Sequence, residues 1–128
     1  MFPIVGVGAS AGGLEALGSF VAQLAADANL CVVVVQHQER DRASLLAELL
    51  RQRSALPVFD ITEGMPVAPN QVYVMPPDRW LTLSKGVLHL HRHSDAREYM
   101  QPIDIFFQSL AEDCQDRSVG VILSGSGN

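Results

Sequence analysis

Residues 4–37 read IVGVGASAGGLEALGSFVAQLAADANLCVVVVQH, and the order of textures in this stretch decides the fold. Phe2–Val7 is a short apolar run closed by glycines, the pattern of a strand buried on both faces. Leu14, Leu17, Phe20, Val21 and Leu24 recur at helical spacing, which predicts an amphipathic helix from Ala11 to about Ala25. Leu30–Gln36 is β-branched, uninterrupted and too short for a helix, so it is a second strand. Strand, helix and strand with short connections make a βαβ unit, whose two strands lie parallel and adjacent.

The same alternation continues outward. A second helix is predicted over Ala43–Arg53, with Ser44 or Asp41 as its cap, and a third strand over Leu56–Asp60. From Val67 to His93 the texture changes. Pro69, Pro76 and Pro77 (and Pro66 just before) break it into short runs at Gln71–Met75, Trp80–Leu83 and Val87–His91. Ser84-Lys85-Gly86 is a good hairpin turn between the last two, so this stretch reads as an antiparallel excursion. Ile103, Phe106, Phe107 and Leu110 then form a helical face, and Val119–Leu123 is another buried strand running into Ser124–Asn128. The fold class is α/β: a single domain over residues 1–128, doubly wound and Rossmann-like in its three layers, with a mostly parallel sheet and an antiparallel hairpin. A parallel strand normally delivers the chain to a covering helix. None follows the last strand, so the fold is expected to be incomplete at its C-terminus. Sheet surface left uncovered there would favour self-association.

Composition and charge narrow the function. The net charge is −5 and the nine cations are scattered, with only Arg40/Arg42 and Arg51/Arg53 as close pairs; a phosphate-tracking surface needs a basic patch, so no nucleic acid is expected. Apolar runs such as Leu30–Val35 are too short to cross a bilayer, and the start lacks a secretory signal, which predicts a cytoplasmic protein without membrane insertion. Cys31 and Cys114 have no C-x-x-C spacing and read as reduced, packed thiols.

In an open parallel sheet, ligands and catalytic groups gather beyond the carboxyl ends of the strands. Three segments arrive there: Gly8–Gly13, Gln36-His37 and Ser124–Asn128. Since the first two strands share one βαβ unit, Ser10 and His37 should be neighbours. A hydroxyl becomes a nucleophile when a base lies within about 2.6–3.2 Å, and a helix starting near Ala11 would aim N–H groups at developing negative charge. A serine ahead of a helix equally reads as an N-cap, and a histidine at a strand end as a structural residue; their co-location favours the catalytic pair. A dinucleotide site would need an acid where Gln36 and His37 stand, and a phosphate loop would need Lys-Ser/Thr where Leu14-Glu15 stand. Neither nucleotide nor other cofactor is expected. His89, His91 and His93 alternate on one strand face, but no carboxylate or cysteine shares their run, so a solvated face is preferred to a metal site. Asp60, Asp78, Asp104 and Asp113 read as caps, turns and surface charges.

GASAGG at 8–13, a strand ending in QH at 36–37, PxDxxFxSLAE at 102–112 and GVILSGSGN at 120–128 together resemble the catalytic domain of chemotaxis protein-glutamate methylesterases (CheB-type), colinearly from Ile4 to Asn128. Ala11, the run Gly13–Leu17 and the run Pro102–Phe107 look most like members fused to a CheR-type methyltransferase. The resemblance implies hydrolysis of glutamate methyl esters on methyl-accepting chemotaxis receptors, with glutamine deamidation in some members. It implies Ser10 as nucleophile, His37 as base, and Ala11, Gly12 and Ser126 at the oxyanion and substrate loops, Ser126 standing where many members carry methionine. The family's triad aspartate falls one place past Asn128. Without that orienting carboxylate, a loss of about four orders of magnitude in the best-studied triad, the 128 residues alone are expected to be inactive. The alternative is a non-catalytic receptor- or partner-binding signalling module that retains the esterase fold.

Overall fold

The computed structural model describes residues 2–9, 13–36, 43–77, 79–92 and 102–123. The βαβ unit forms as the opening stretch predicts. Strands β1 (Ile4–Ala9) and β2 (Cys31–Gln36) run parallel, in register from Ile4 opposite Cys31 to Ala9 opposite Gln36. Every residue of both strands is buried, which accounts for their uninterrupted apolar character. The connecting helix α1 covers Leu14–Ala22, ending earlier than its periodicity suggests, while the expected start at Ala11 lies outside the described residues. Gly13 takes its N-cap position with no side-chain cap bond, and a glycine costs about 1 kcal/mol inside a helix relative to alanine, so the regular turn begins after it. Helix α2 occupies Ala43–Arg53, as expected; Asp41 and the side chain of Ser44 lie outside the described residues.

The main sheet has the order β3-β5-β2-β1-β8, all parallel, with β3 at Val58–Asp60, β5 at Gln71–Val74 and β8 at Ser118–Leu123. This corrects the reading of Gln71–Met75 as part of the antiparallel excursion: it is an inner strand between β2 and β3. The surrounding prolines break the texture but sit outside its ladder, and a four-residue run is too short to reveal its pairing direction. The Val72 N–H donates to Pro57 O and the Met75 N–H to Val34 O, locking the strand on both sides.

The excursion forms a second sheet of its own, ordered β4-β7-β6, from Met65–Pro66, Val87–Arg92 and Arg79–Ser84. The short strand β4 was not foreseen. The β6–β7 turn holds Lys85 at φ 53° and Gly86 at φ 74°, the pair of positive values that a two-residue type I′ turn requires. Asp113, near the end of helix α3 (Pro102–Cys114), accepts hydrogen bonds from the N–H groups of Lys85 (2.6 Å) and Gly86 (3.1 Å), so one carboxylate fastens the hairpin to the helix.

Alternate residues of the main sheet feed two cores. Val5, Val7, Val32, Val34, Val72 and Val74 pack under α1 and α2 against Leu17, Val21, Leu46 and Leu50. On the other face, Ile4, Val33, Val35 and Tyr73 meet Leu81, Leu83 and Leu88 of the second sheet and Phe106 and Leu110 of α3. Cys31 and Cys114 are free thiols buried in this second core, as the sequence suggested, and burial pushes the Cys31 thiol up to about 12. Two strand glycines let α3 lie close to the sheet. A Cβ on Gly8 would stand 2.7 Å from Ile103 Cγ2, and one on Gly6 would stand 2.9 Å from Leu110 Cδ2. Both distances are far inside carbon–carbon contact at about 3.5–4.0 Å.

Candidate active site at the carboxyl edge of the sheet

Three strands end level at one edge. Ala9 is the Cα partner of Gln36 on one side and of Leu123 on the other. The next residues along the chain are Ser10, His37 and Ser124. Ser10, Ala11, Gly12, His37 and Ser126 lie outside the described residues, as do His93 and Asp78, so the site is drawn from the frame that delivers the chain to them. That frame brings together the ends of the segments that carry Ser10 and His37, as the βαβ reading requires.

Two helices begin at this edge from opposite faces. At α1, a Cβ on Gly13 would lie 3.3 Å from both the Ala9 Cβ and the Leu123 carbonyl oxygen, so the helix starts tight against the ends of β1 and β8. At α3, Ile103 lies on Gly8 in the helix's first turn. A helix start presents unpaired N–H groups and about half a positive charge, and two such ends near one edge suit a reaction that develops an oxyanion. Glu15 and Asp104 in the two first turns offset part of that charge; Glu15 is itself drawn to Arg53 at 3.6 Å across the solvent-exposed surface.

Gly13 holds the N-cap position of α1 with no side-chain cap bond, and Ser10, the N-cap candidate of the sequence, lies outside the described residues. The phosphate-cradle alternative loses two of its glycines. Gly6 and Gly8 belong to a strand, and the space over them is taken by Leu110, Phe106 and Ile103 of α3, so these two glycines do not open their backbone to a pyrophosphate. Gln36, in the place where ribose binding wants an acid, is 6% exposed and is the buried polar side chain among the described core residues. The sequence placed Gln36 at this edge, beside His37. The glutamine is a polar residue at the end of an otherwise apolar strand.

The strand histidines are engaged one by one. His89 Nδ1 lies 2.9 Å from Glu63 Oε2, and Glu63 also accepts the Leu90 N–H at 2.7 Å. These two bonds hold the Glu63 carboxyl below its ordinary range. His91 Nε2 is 2.9 Å from Thr82 Oγ1, and its ring stacks on Trp80. Among the described residues, no helix is long and apolar enough to cross a membrane.

Comparison with known proteins agrees with this frame. Residues 5–128 match the CheB methylesterase family. The chain is 36% identical over 126 residues to protein-glutamate methylesterase/protein-glutamine glutaminase 2 of Burkholderia orbicola, covering 98% of this chain and 38% of that protein. To the corresponding protein 3 of Pseudomonas aeruginosa it is 36% identical over 125 residues, covering 97% and 37%. Among solved structures, the CheB methylesterase catalytic domain of Thermotoga maritima matches with a TM-score of 0.83 at 28% identity, over 100% of this chain and 70% of that one. The chain thus spans less than half the length of these two relatives. It belongs to the CheB methylesterase family.

Proposed function

We propose that this chain supplies the nucleophile and base of a protein-glutamate methylesterase acting on methyl-accepting chemotaxis receptors. The observation that carries the reading is the register of Ala9 with Gln36, since the proposed catalytic residues follow these two partners directly. Neighbouring strands lie about 4.7–4.9 Å apart, a separation from which a serine and a histidine side chain can meet. The names of the relatives, methylesterase and glutaminase, support the substrate class.

In this mechanism His37 takes the proton of Ser10 Oγ as that oxygen attacks the ester carbonyl. The tetrahedral oxyanion is held by backbone N–H groups at Ala11, Gly12 and Ser126. Collapse breaks the bond to the methoxy oxygen, His37 returns the proton, and methanol leaves a glutamyl ester on Ser10. Water, deprotonated by His37, then releases the glutamate carboxylate and regenerates the serine. A receptor glutamine would follow the same path with ammonia as the leaving group. An aspartate following Asn128 would orient His37. Residues 1–128 form part of one catalytic domain, in a cytoplasmic protein that also carries a methyltransferase domain.

The test is methanol release from a methyl-esterified receptor peptide by the chain together with the residues that follow it in its gene. Release abolished by Ser10→Ala and by His37→Ala supports the proposal. Receptor binding without release identifies a non-catalytic module, and NAD or ATP saturating the protein in calorimetry returns the nucleotide reading.

A further inference from the structure

Away from the sheet edge, the polar face of the β6–β7 hairpin and the outer side of α3 enclose a groove of about 190 Å³. Its strand wall consists of Trp80, Thr82 and His91, and its helix wall of Ile105, Gln108 and Glu112. Trp80 and His91 are cross-strand partners, with ring centroids 4.2 Å apart and planes 19° from parallel. The indole N–H is committed to Arg92 O at 2.8 Å and the imidazole to Thr82, so the aromatic pair is fixed in place. Ser109 is also committed, accepting the Leu83 N–H and donating to Phe106 O.

Among the described residues, Glu112 meets no counter-charge in this groove. It lies in the last turn of α3, the negative end of the helix dipole, where a cation is favoured, yet that turn carries no basic residue. Asp113, beside it, is occupied by the hairpin turn. Among the described residues, Glu112 receives a 3.5 Å contact from Gln108 Nε2 and no cationic side chain pairs with it.

We propose that this groove binds the arginine side chain of a partner protein segment. A guanidinium is planar, stacks on aromatic faces and pairs in a fork with a carboxylate, and this groove is lined by an aromatic pair and a carboxylate. The volume suits a single side chain, being below the roughly 300–1,000 Å³ of small-molecule pockets. Among the described residues no lysine or arginine lines the groove to receive an α-carboxylate, which favours an arginine displayed on a peptide over the free amino acid. Gln108 supplies a second acceptor at the rim.

Trp80 is the only tryptophan in the chain, so its fluorescence reports the groove directly and no catalysis is needed. The protein is titrated with a blocked Gly-Arg-Gly peptide, with its citrulline and lysine analogues, and with free arginine. The expected result is a saturable change with the arginine peptide, no saturation with citrulline, and weaker binding of lysine and of free arginine. Glu112→Gln, at an exposed position, should weaken the arginine peptide at least tenfold while leaving thermal unfolding unchanged; Trp80→Phe, followed by amide NMR shifts of Thr82 and Gln108, should retain binding through a smaller aromatic face. Absence of saturation with the arginine peptide overturns the proposal. So does equal binding of citrulline, equal binding of free arginine, or full affinity in a folded Glu112→Gln protein.

Discussion

Ala9 and Gln36 face each other as the last Cα pair of the β1–β2 ladder, and each is followed directly by one of the two residues proposed to carry the chemistry. The relationship follows from elementary constraints. A short apolar strand, a helix that must cover it and a second apolar strand can close only as a parallel unit, and the parallel register brings both loops to one edge. Leu123 completes the row on the far side of Ala9, so the loop after β8 leaves from the same line.

Close packing of α3 on the sheet gives the first prediction. Gly8→Ala would place a methyl group 2.7 Å from Ile103 Cγ2, and overpacking of this kind costs about 1–3 kcal/mol. Denaturant unfolding should show that loss, and Ile103→Ala in the Gly8→Ala background should recover most of it. A Gly8→Ala protein as stable as the parent would mean that α3 does not rest on β1 in this way.

The buried thiols give the second. Cys31 has no exposed surface, and burial raises its pKa from 9.0 to about 12. The folded state therefore holds a proton that the unfolded chain gives up at lower pH. This contribution to stability is complete below about pH 9 and is lost as pH rises toward 12. Cys31 should resist a thiol reagent at pH 8 until the protein is unfolded. Cys31→Ala should flatten the alkaline fall in stability, though it will also open a cavity. Rapid labelling of Cys31 in the native protein would contradict its placement.

Much of this fold was legible in the sequence because its main strands are buried on both faces and so are written as continuous apolar runs. Cys31–Gln36 and the helix Ala43–Arg53 needed only composition and period. What local pattern could not supply was partnership. Gln71–Val74 has the same texture whether it joins a hairpin or an inner parallel strand, and only its contacts with β2 and β3 decide. Met65–Pro66 is too short to announce itself. The strand glycines were silent in a related way. Gly6 and Gly8 close an apolar run without showing why a side chain is excluded there, and what comes close is a helix from about a hundred residues further along the chain. At the site, adjacency of the Ser10 and His37 segments was readable from topology, whereas the approach of the α3 start to the same edge was not.

The outer strand supplies a third prediction. β8 is an edge strand without a charged residue, and Val119 and Ile122 are 44% and 64% exposed. Natural edge strands are usually guarded by charges, proline or bulges. The 128-residue chain should therefore self-associate as its concentration rises, and Ile122→Lys should reduce that association, both measurable by sedimentation velocity. A monomer at every concentration would show that this edge is protected.

The central claim is that Ser10 and His37 act as one unit because their strands end in register. It is tested most directly by kcat/KM for methanol release from a methyl-esterified receptor, measured with Ser10→Ala, His37→Ala and the double variant in the chain joined to the residues that follow it. Groups that act together lose their effect together. The account predicts that each single change removes at least about three orders of magnitude and that the double variant is no slower than the slower single. Losses that simply multiply, or a Ser10→Ala enzyme that still turns over, would contradict it.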